Sequence, residues 1–213
     1  MAKRKGRKWD AVFFDFDGVI LDSVGVKTEA FAKLFRPYGP KVEKAVVAYH
    51  LAHGGVSRYM KFCYALEELL GEPAGEARLE SLGRAFSDLV RQGVLEAPIV
   101  DGVMASLEML QCQGIPAFVV SGTPEDELKQ VVEERGLASF FEEVHGSPRT
   151  KCDIIESLLM SYGLTPSRCL MVGDAMTDYL AARKTQLHFL GIVSSKSSSP
   201  FPKRTKVSTS VVL

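Results

Sequence analysis

The chain has 213 residues, 46% of them hydrophobic, enough to bury a full core in one or two globular domains. Lys plus Arg and Asp plus Glu number 26 each, which excludes a one-sign field able to hold nucleic acid or an anionic membrane, so any selectivity for anions must be local. No apolar run approaches a membrane span, and Cys63, Cys112, Cys152 and Cys169 lack CxxC or zinc spacing, as expected of small buried hydrophobes in a reducing compartment.

The chain opens on Lys3, Arg4, Lys5, Arg7 and Lys8, which read as a solvated tail. No apolar stretch of secretory kind follows these charges, and the absence of any Asn removes an N-glycosylation site, so a cytoplasmic location is expected. A first strand is expected over Ala11 to Phe16, apolar on both faces through Val12-Phe13-Phe14. It runs into Asp15-Phe16-Asp17-Gly18, which puts both aspartates at the strand's carboxyl end and, by the period of two, on one side. Two carboxylates about 4 Å apart repel by roughly 4 kcal/mol at an effective dielectric of 20, a cost that a dication relieves. Few, hard oxygen ligands suit Mg²⁺.

From Ser23 to about Ala97 every apolar pattern is helical: Ala30, Phe31, Leu34 and Phe35, then Met60, Phe62, Cys63, Leu66, Leu69 and Leu70, then Leu82, Phe86, Leu89 and Val90. Gly and Pro clusters at 37–40, 53–55 and 71–75 separate these helices. Beyond them, expected strands at Pro116 to Ser121, Glu143 to His145, Cys169 to Gly173 and His188 to Val193 alternate with helical segments, the pattern of a doubly wound parallel sheet. The division this implies is an α/β core of residues 1–22 and 98–213 and a helical insert of residues 23–97.

Ser121-Gly122-Thr123 ends one strand, and Thr123-Pro124-Glu125-Asp126 reads as N-cap, N1 proline and capping box, leaving a hydroxyl and free N–H groups at a positive helix end. Ser147-Pro148 is expected to open the next helix in the same way, with Lys151 in its first turns. A lysine there is unfavourable unless something negative faces it, although a plain surface lysine remains the alternative. In Gly173-Asp174-Ala175-Met176-Thr177-Asp178 the i to i+4 spacing puts Asp174 and Asp178 on one helix face; the alternative is an N-cap and a helix-dipole aspartate. After Ser194 the chain is rich in Ser, Lys and Pro, and its last three apolar residues form a short edge strand or no element.

The order DFDGVILDS, VVSGTP, Lys151, VGDAMTD resembles the haloacid dehalogenase superfamily, in particular phosphatases and phosphomutases with a helical C1-type cap inserted after the first strand, such as β-phosphoglucomutase and phosphoglycolate phosphatase. The likeness runs from about Ala11 to Val193. It implies a Rossmann-like α/β core with an inserted cap, and a Mg²⁺-dependent phosphatase that hydrolyses a small phosphomonoester, a sugar phosphate or phosphoglycolate-like acid, through an aspartyl phosphate. The rivals are a phosphomutase and a non-catalytic phosphate-binding module.

By the same resemblance Asp15 attacks phosphorus, and Asp17 protonates the leaving oxygen and then activates water. Ser121, Gly122 and Lys151 hold the phosphoryl group. The metal falls to Asp15, Asp17 through its main-chain carbonyl, Asp174 and, in support, Asp178. The cap loop His53-Gly54-Gly55-Val56-Ser57-Arg58 resembles a specificity loop in which Arg58, with His53, reads the substrate. A solvated Arg58 after a helix break, and a turn-facing His53, are the competing readings. The chain departs from the family pattern at Arg183-Lys184-Thr185-Gln186, where relatives commonly carry a small residue and Gly, and Arg149 competes with Lys151 for its assignment.

Overall fold

The computed structural model describes residues 7–194 and 199–213. Lys3, Arg4 and Lys5 of the basic run and residues 195–198 of the Ser-rich stretch lie outside them. Six strands, β1 (Ala11–Phe14), β2 (Ala117–Pro124), β3 (Glu143–Ser147), β4 (Cys169–Gly173), β5 (His188–Ile192) and β6 (Val207–Ser208), form one parallel sheet in the order β3-β2-β1-β4-β5-β6. This is the doubly wound α/β architecture expected. The strand order reverses between β1 and β4, and the crevice at the carboxyl ends of those strands is where such sheets bind ligands.

All four residues of β1 are buried because both faces of the sheet are covered. Val12 and Phe14 pack with α5 (Val103–Gln113) and α6 (Glu125–Glu134), whereas Ala11 and Phe13 pack with α7 (Lys151–Ser161) and α8 (Met176–Lys184). A strand covered on both faces has no solvent-facing position, which is why its sequence shows no alternation.

Residues 23–97 contain α1 (Val24–Phe35), α2 (Pro40–Ala52), α3 (Arg58–Tyr64), a π-helical turn at Ala65–Leu70, and α4 (Glu76–Glu96), with no strand. Phe31, Phe35, Phe62 and Phe86 form their aromatic centre, with Phe31 and Phe86 ring centroids 4.6 Å apart. That cluster runs without a break into the Val12 and Phe14 face of the sheet. The chain enters and leaves the insert side by side, with the Asp22 N–H donating to Pro98 O at 2.9 Å and the Val100 N–H to Ile20 O at 3.0 Å.

Several local expectations are corrected. β1 stops at Phe14, so both aspartates of the DFD motif sit in the loop beyond it. β2 runs on to Pro124, and Thr123 is therefore no N-cap; its hydroxyl serves elsewhere. The helix after Ser147-Pro148 begins only at Lys151, capped by Thr150, whose side chain accepts from the Asp153 N–H. The apolar stripe of α3 is rotated from the one the sequence suggests: Arg58, Lys61 and Phe62 are buried while Met60 is 61% exposed. The closing residues form no strand. Instead Val211 is buried, its N–H donating to Asp101 O and its carbonyl accepting from the Ser106 hydroxyl, while the edge strand is β6.

Candidate active site

Asp15 leaves the end of β1 with its N–H donating to Val172 O of β4, which fixes its backbone across the switch point. Its side chain is turned by the Phe16 N–H, which donates to Oδ1 at 2.7 Å, and by Lys151, whose Nζ lies 2.8 Å from Oδ2. Lys151 is the first residue of α7 and also donates to Asp178 Oδ1 at 2.5 Å. Asp178, fully buried, accepts from the Ala175 N–H with its other oxygen at 3.1 Å and so closes the first turn of α8. Asp174 lies just before that turn, against Gly18, where φ is +80° and a Cβ would fall 2.3 Å from Asp174 Oδ2. Only Gly serves there, on both counts.

Asp15, Asp174 and Asp178 each bring a carboxylate oxygen within 4.8 Å of the others. Lys151 is the cation paired with this cluster, so the trio retains an excess of negative charge. Burial, with the Asp178 charge added, pushes the Asp15 carboxyl up to about 7 against the pull of Lys151, and burial with the Asp15 charge pushes Asp174 well above the usual range. Burial alone would lower Lys151, but Asp15 and Asp178 hold it above its ordinary value. Hard, anionic oxygens with uncompensated charge are the donor set a small dication takes.

The Asp17 carboxylate stands apart from this trio. Lys27 of α1 pairs with it, and the hydroxyls of Ser23 and Thr123 donate to it at 2.6 and 2.9 Å. Burial favours its neutral form, yet Lys27 and these hydrogen bonds outweigh that effect and hold the group below its ordinary range. The expected repulsion between Asp15 and Asp17 is thus answered by two lysines, one for each. Nothing in the DFD motif announces Lys27; its one signal is the spacing Ser23, Lys27, Phe31, a single helix face turned to the strand ends.

Ser121 is buried at the end of the apolar part of β2 and its Oγ accepts the Thr123 N–H at 3.2 Å. α6 itself begins with Glu125, Asp126 and Glu127, so its positive end already faces acids. Gly122 lies beneath the cap: a Cβ there would meet Gly55 O at 2.4 Å. Gly54 O in turn accepts from the Thr177 hydroxyl of α8 at 2.9 Å, so the Gly-Gly loop of the cap is seated on the core.

Arg58 is not solvated. It is 6% exposed, stacked over Phe86 at 4.7 Å, and its fork is committed to Glu127 of α6 at 2.7 and 3.2 Å and to Ser87 at 2.8 Å. His53 is exposed, stacked on Tyr49, with Nδ1 2.8 Å from Tyr49 O, which is the turn-facing alternative. The histidine that reaches the cavity is His50. Arg149 is exposed and its guanidinium reaches the Asp153 carbonyl, away from Asp15. A cavity of about 180 Å³ opens between the two layers, bordered by Asp15, Asp17, Ser121 and Asp174 below and by His50 and Lys61 above.

A doubly wound sheet with carboxylates at its switch point and a helical insert after β1 defines a class, and residues 9–185 match the family model described as haloacid dehalogenase-like hydrolase. The chain belongs to that family of hydrolases. Among curated relatives, "Phosphoglycolate phosphatase" of Vibrio cholerae is 29% identical over 192 residues, covering 85% of this chain and 83% of its own. A "5'-nucleotidase" of Pseudomonas aeruginosa is 26% identical over 165 residues, covering 65% of this chain and 75% of its own. Among solved structures, β-phosphoglucomutase from Clostridium difficile superposes with a TM-score of 0.75 at 18% identity, covering 95% of this chain and 91% of that one. CbbY from Rhodobacter sphaeroides in complex with phosphate gives 0.73 at 15% identity, covering 95% and 94%.

Proposed function

We propose that the protein is a phosphatase that hydrolyses a small phosphomonoester through an aspartyl phosphate on Asp15. The observation that carries this reading is the charge arrangement at the β1/β4 edge: three carboxylates, one lysine, and beside them a second lysine-bound aspartate, under a seated cap. In the first half-reaction an Asp15 oxygen attacks phosphorus, the bond to the leaving oxygen breaks, and Asp17 supplies the proton that oxygen takes up. In the second, Asp17 removes a proton from water as it attacks the phosphoryl group, the bond to Asp15 breaks, and inorganic phosphate leaves. Because Lys27 holds Asp17 ionised at rest, the resting enzyme is poised for the second half, and Asp17 must take up a proton as substrate enters.

Asp15, Asp174 and the Asp17 carbonyl, with Asp178 in support, are the groups to hold Mg²⁺, which when bound neutralises phosphoryl oxygens and the excess carboxylate charge. Lys151 holds Asp15 in line and meets the phosphoryl oxygens, and Ser121 with the Gly122 N–H completes their shell. We read residues 23–97, between the junctions at Asp22 and Pro98, as the cap, with Arg58 a brace that seats it. No helix among the described residues is long and apolar enough to cross a membrane, and we read the cytoplasm as the place of action. Release of inorganic phosphate from a panel of phosphorylated metabolites, with Mg²⁺ and with chelator, tests the reading. Isomerisation of a sugar phosphate without net phosphate release would favour the phosphomutase instead.

A further inference from the structure

The cations that line the cavity or pair with its carboxylates differ in their partners. Lys27 has Asp17, Lys151 has Asp15 and Asp178, and Arg58 has Glu127. Lys61 is 4% exposed, and among the described residues no carboxylate lies within ion-pair distance of it. Its Nζ instead meets His50 Nδ1 at 3.0 Å and lies 5.6 Å over the Phe31 ring. A buried ammonium with only a neutral partner is costly, and such groups are kept where they meet a ligand.

His50 supplies the second observation. It too is buried, and its Nε2 has no partner among the described groups. Since the Lys61 ammonium donates to Nδ1, Nδ1 is the acceptor and Nε2 carries the proton, so the free position is a donor without an acceptor. Burial, with the Lys61 charge added, pulls His50 down to about 3, which keeps it neutral; burial and Lys27 pull Lys61 down to about 8, which leaves it charged at neutral pH. Both residues line the same cavity as Asp15 and Ser121.

We infer that Lys61 and His50 form a subsite for a second anionic group on the substrate, a carboxylate or a second phosphate, and are the residues by which this chain selects it. The inference rests on the phosphatase reading for the other end of the substrate. It moves the task of reading the substrate from Arg58, whose fork is occupied, to the next turn of α3. The lysine charge meets the anion and the Nε2–H donates to one of its oxygens. Lys61 and His50 share one cavity of about 180 Å³ with Asp15, Asp17 and Ser121, so a single small substrate can meet both ends.

The test compares 2-phosphoglycolate, which carries a carboxylate, with 2-hydroxyethyl phosphate, its neutral counterpart, on the full chain with Mg²⁺. The wild-type protein should prefer the acid by tenfold or more in kcat/KM. Lys61→Met should reduce that preference by about ten- to a hundredfold, mainly through KM, as for one hydrogen bond to a charged group. Lys61→Arg should keep most of it, and His50→Leu should lose about tenfold. Lys61→Met should melt no lower than wild type, since it removes an unpaired buried charge. An unchanged preference in Lys61→Met, or a lower melting temperature with equal losses on both substrates, overturns the subsite. Calorimetric binding of both compounds to Asp15→Asn, with and without Lys61→Met, separates the two readings. Lys61-dependent binding of the acid without wild-type hydrolysis sinks the phosphatase and keeps the subsite, whereas hydrolysis without Lys61 dependence does the reverse.

Discussion

The two walls of the cavity are built on different principles. On the core side three of the four carboxylates have protein partners, Asp15 in Lys151 and the Phe16 N–H, Asp178 in Lys151 and the Ala175 N–H, Asp17 in Lys27, Ser23 and Thr123, and among the described residues Asp174 alone is left to a cation. On the cap side Arg58 is answered across the interface by Glu127, but Lys61 and His50 keep an open charge and an open donor. A closed network holds reacting groups in place, as phosphoryl transfer requires, while an open one is completed by whatever enters. On the proposed function the chemistry belongs to the strand ends and the choice of substrate to the helices above them.

If the core side is a carboxylate cluster awaiting a dication, the largest effect comes from removing it. Chelation should lower phosphate release by more than about a hundredfold, the scale of several kcal/mol, and Mg²⁺ should restore it. Asp174→Ala should weaken metal activation more than Asp178→Ala, because Asp178 is spent on Lys151 and α8. Metal titrations of phosphate release check both, and equal rates in chelator and in Mg²⁺ would remove the cluster from the mechanism.

The brace between the walls gives the next effect. Glu127→Gln leaves Arg58 buried without its charge partner, whereas Arg58→Met frees a Glu127 side chain that is already 37% exposed. The first should cost about 1 to 3 kcal/mol and the second less, read as melting temperature at about 2 to 4 °C per kcal/mol for a chain of this size. Should Arg58→Met be the worse of the two, its contact with Phe86 rather than the ion pair seats the cap.

The third sharpens the contrast through pH. The folded protein holds a proton on Asp15 up to about 7, while an unfolded chain releases it near 3.8. Between those values the native state binds more protons, so this group's contribution to stability falls as pH rises. Metal-free protein should lose several degrees of melting temperature between pH 5 and 8 in excess of Asp15→Asn, and Mg²⁺ should return them at pH 8. A metal-free stability that rises over that window would mean that Lys151 alone satisfies the trio.

The smallest lies outside both walls. Gln186 follows α8 with φ of +61°, a left-handed position that Gly would occupy without strain. Gln186→Gly should raise stability by about 1 kcal/mol and leave kcat unchanged, measured by denaturant melts and initial rates.

These contrasts also mark how far the sequence could be read. The sheet was legible because β1, β2 and β4 are buried on both faces and so read as unbroken apolar runs, and the aspartates stood out because they end such runs. Strand ends were blurred by one to three residues: Thr123 and Pro124 continue β2, so a helix-capping signal disguised a hydroxyl that serves Asp17. The cap was harder. The charged side chains it buries occupy stripe positions of helices, where Arg58 and Lys61 sit among Phe62, Ala65 and Leu66, and a stripe drawn from apolar residues alone passes through Met60 instead. Charged residues at the spacing of a buried stripe were the signal available for Lys61, and Val46 with His50 at i and i+4 was the same signal in α2.

The covalent role of Asp15 is open to one direct observation. Acid-quenched protein taken from steady-state turnover with Mg²⁺ and a phosphomonoester, analysed by peptide mass spectrometry, should carry a phosphoryl group on the peptide containing Asp15. The group should be sensitive to hydroxylamine, as an acyl phosphate is, and absent from Asp15→Asn, whose turnover should fall by several orders of magnitude. Full turnover by Asp15→Asn, or a labelled peptide that excludes Asp15, would contradict the mechanism.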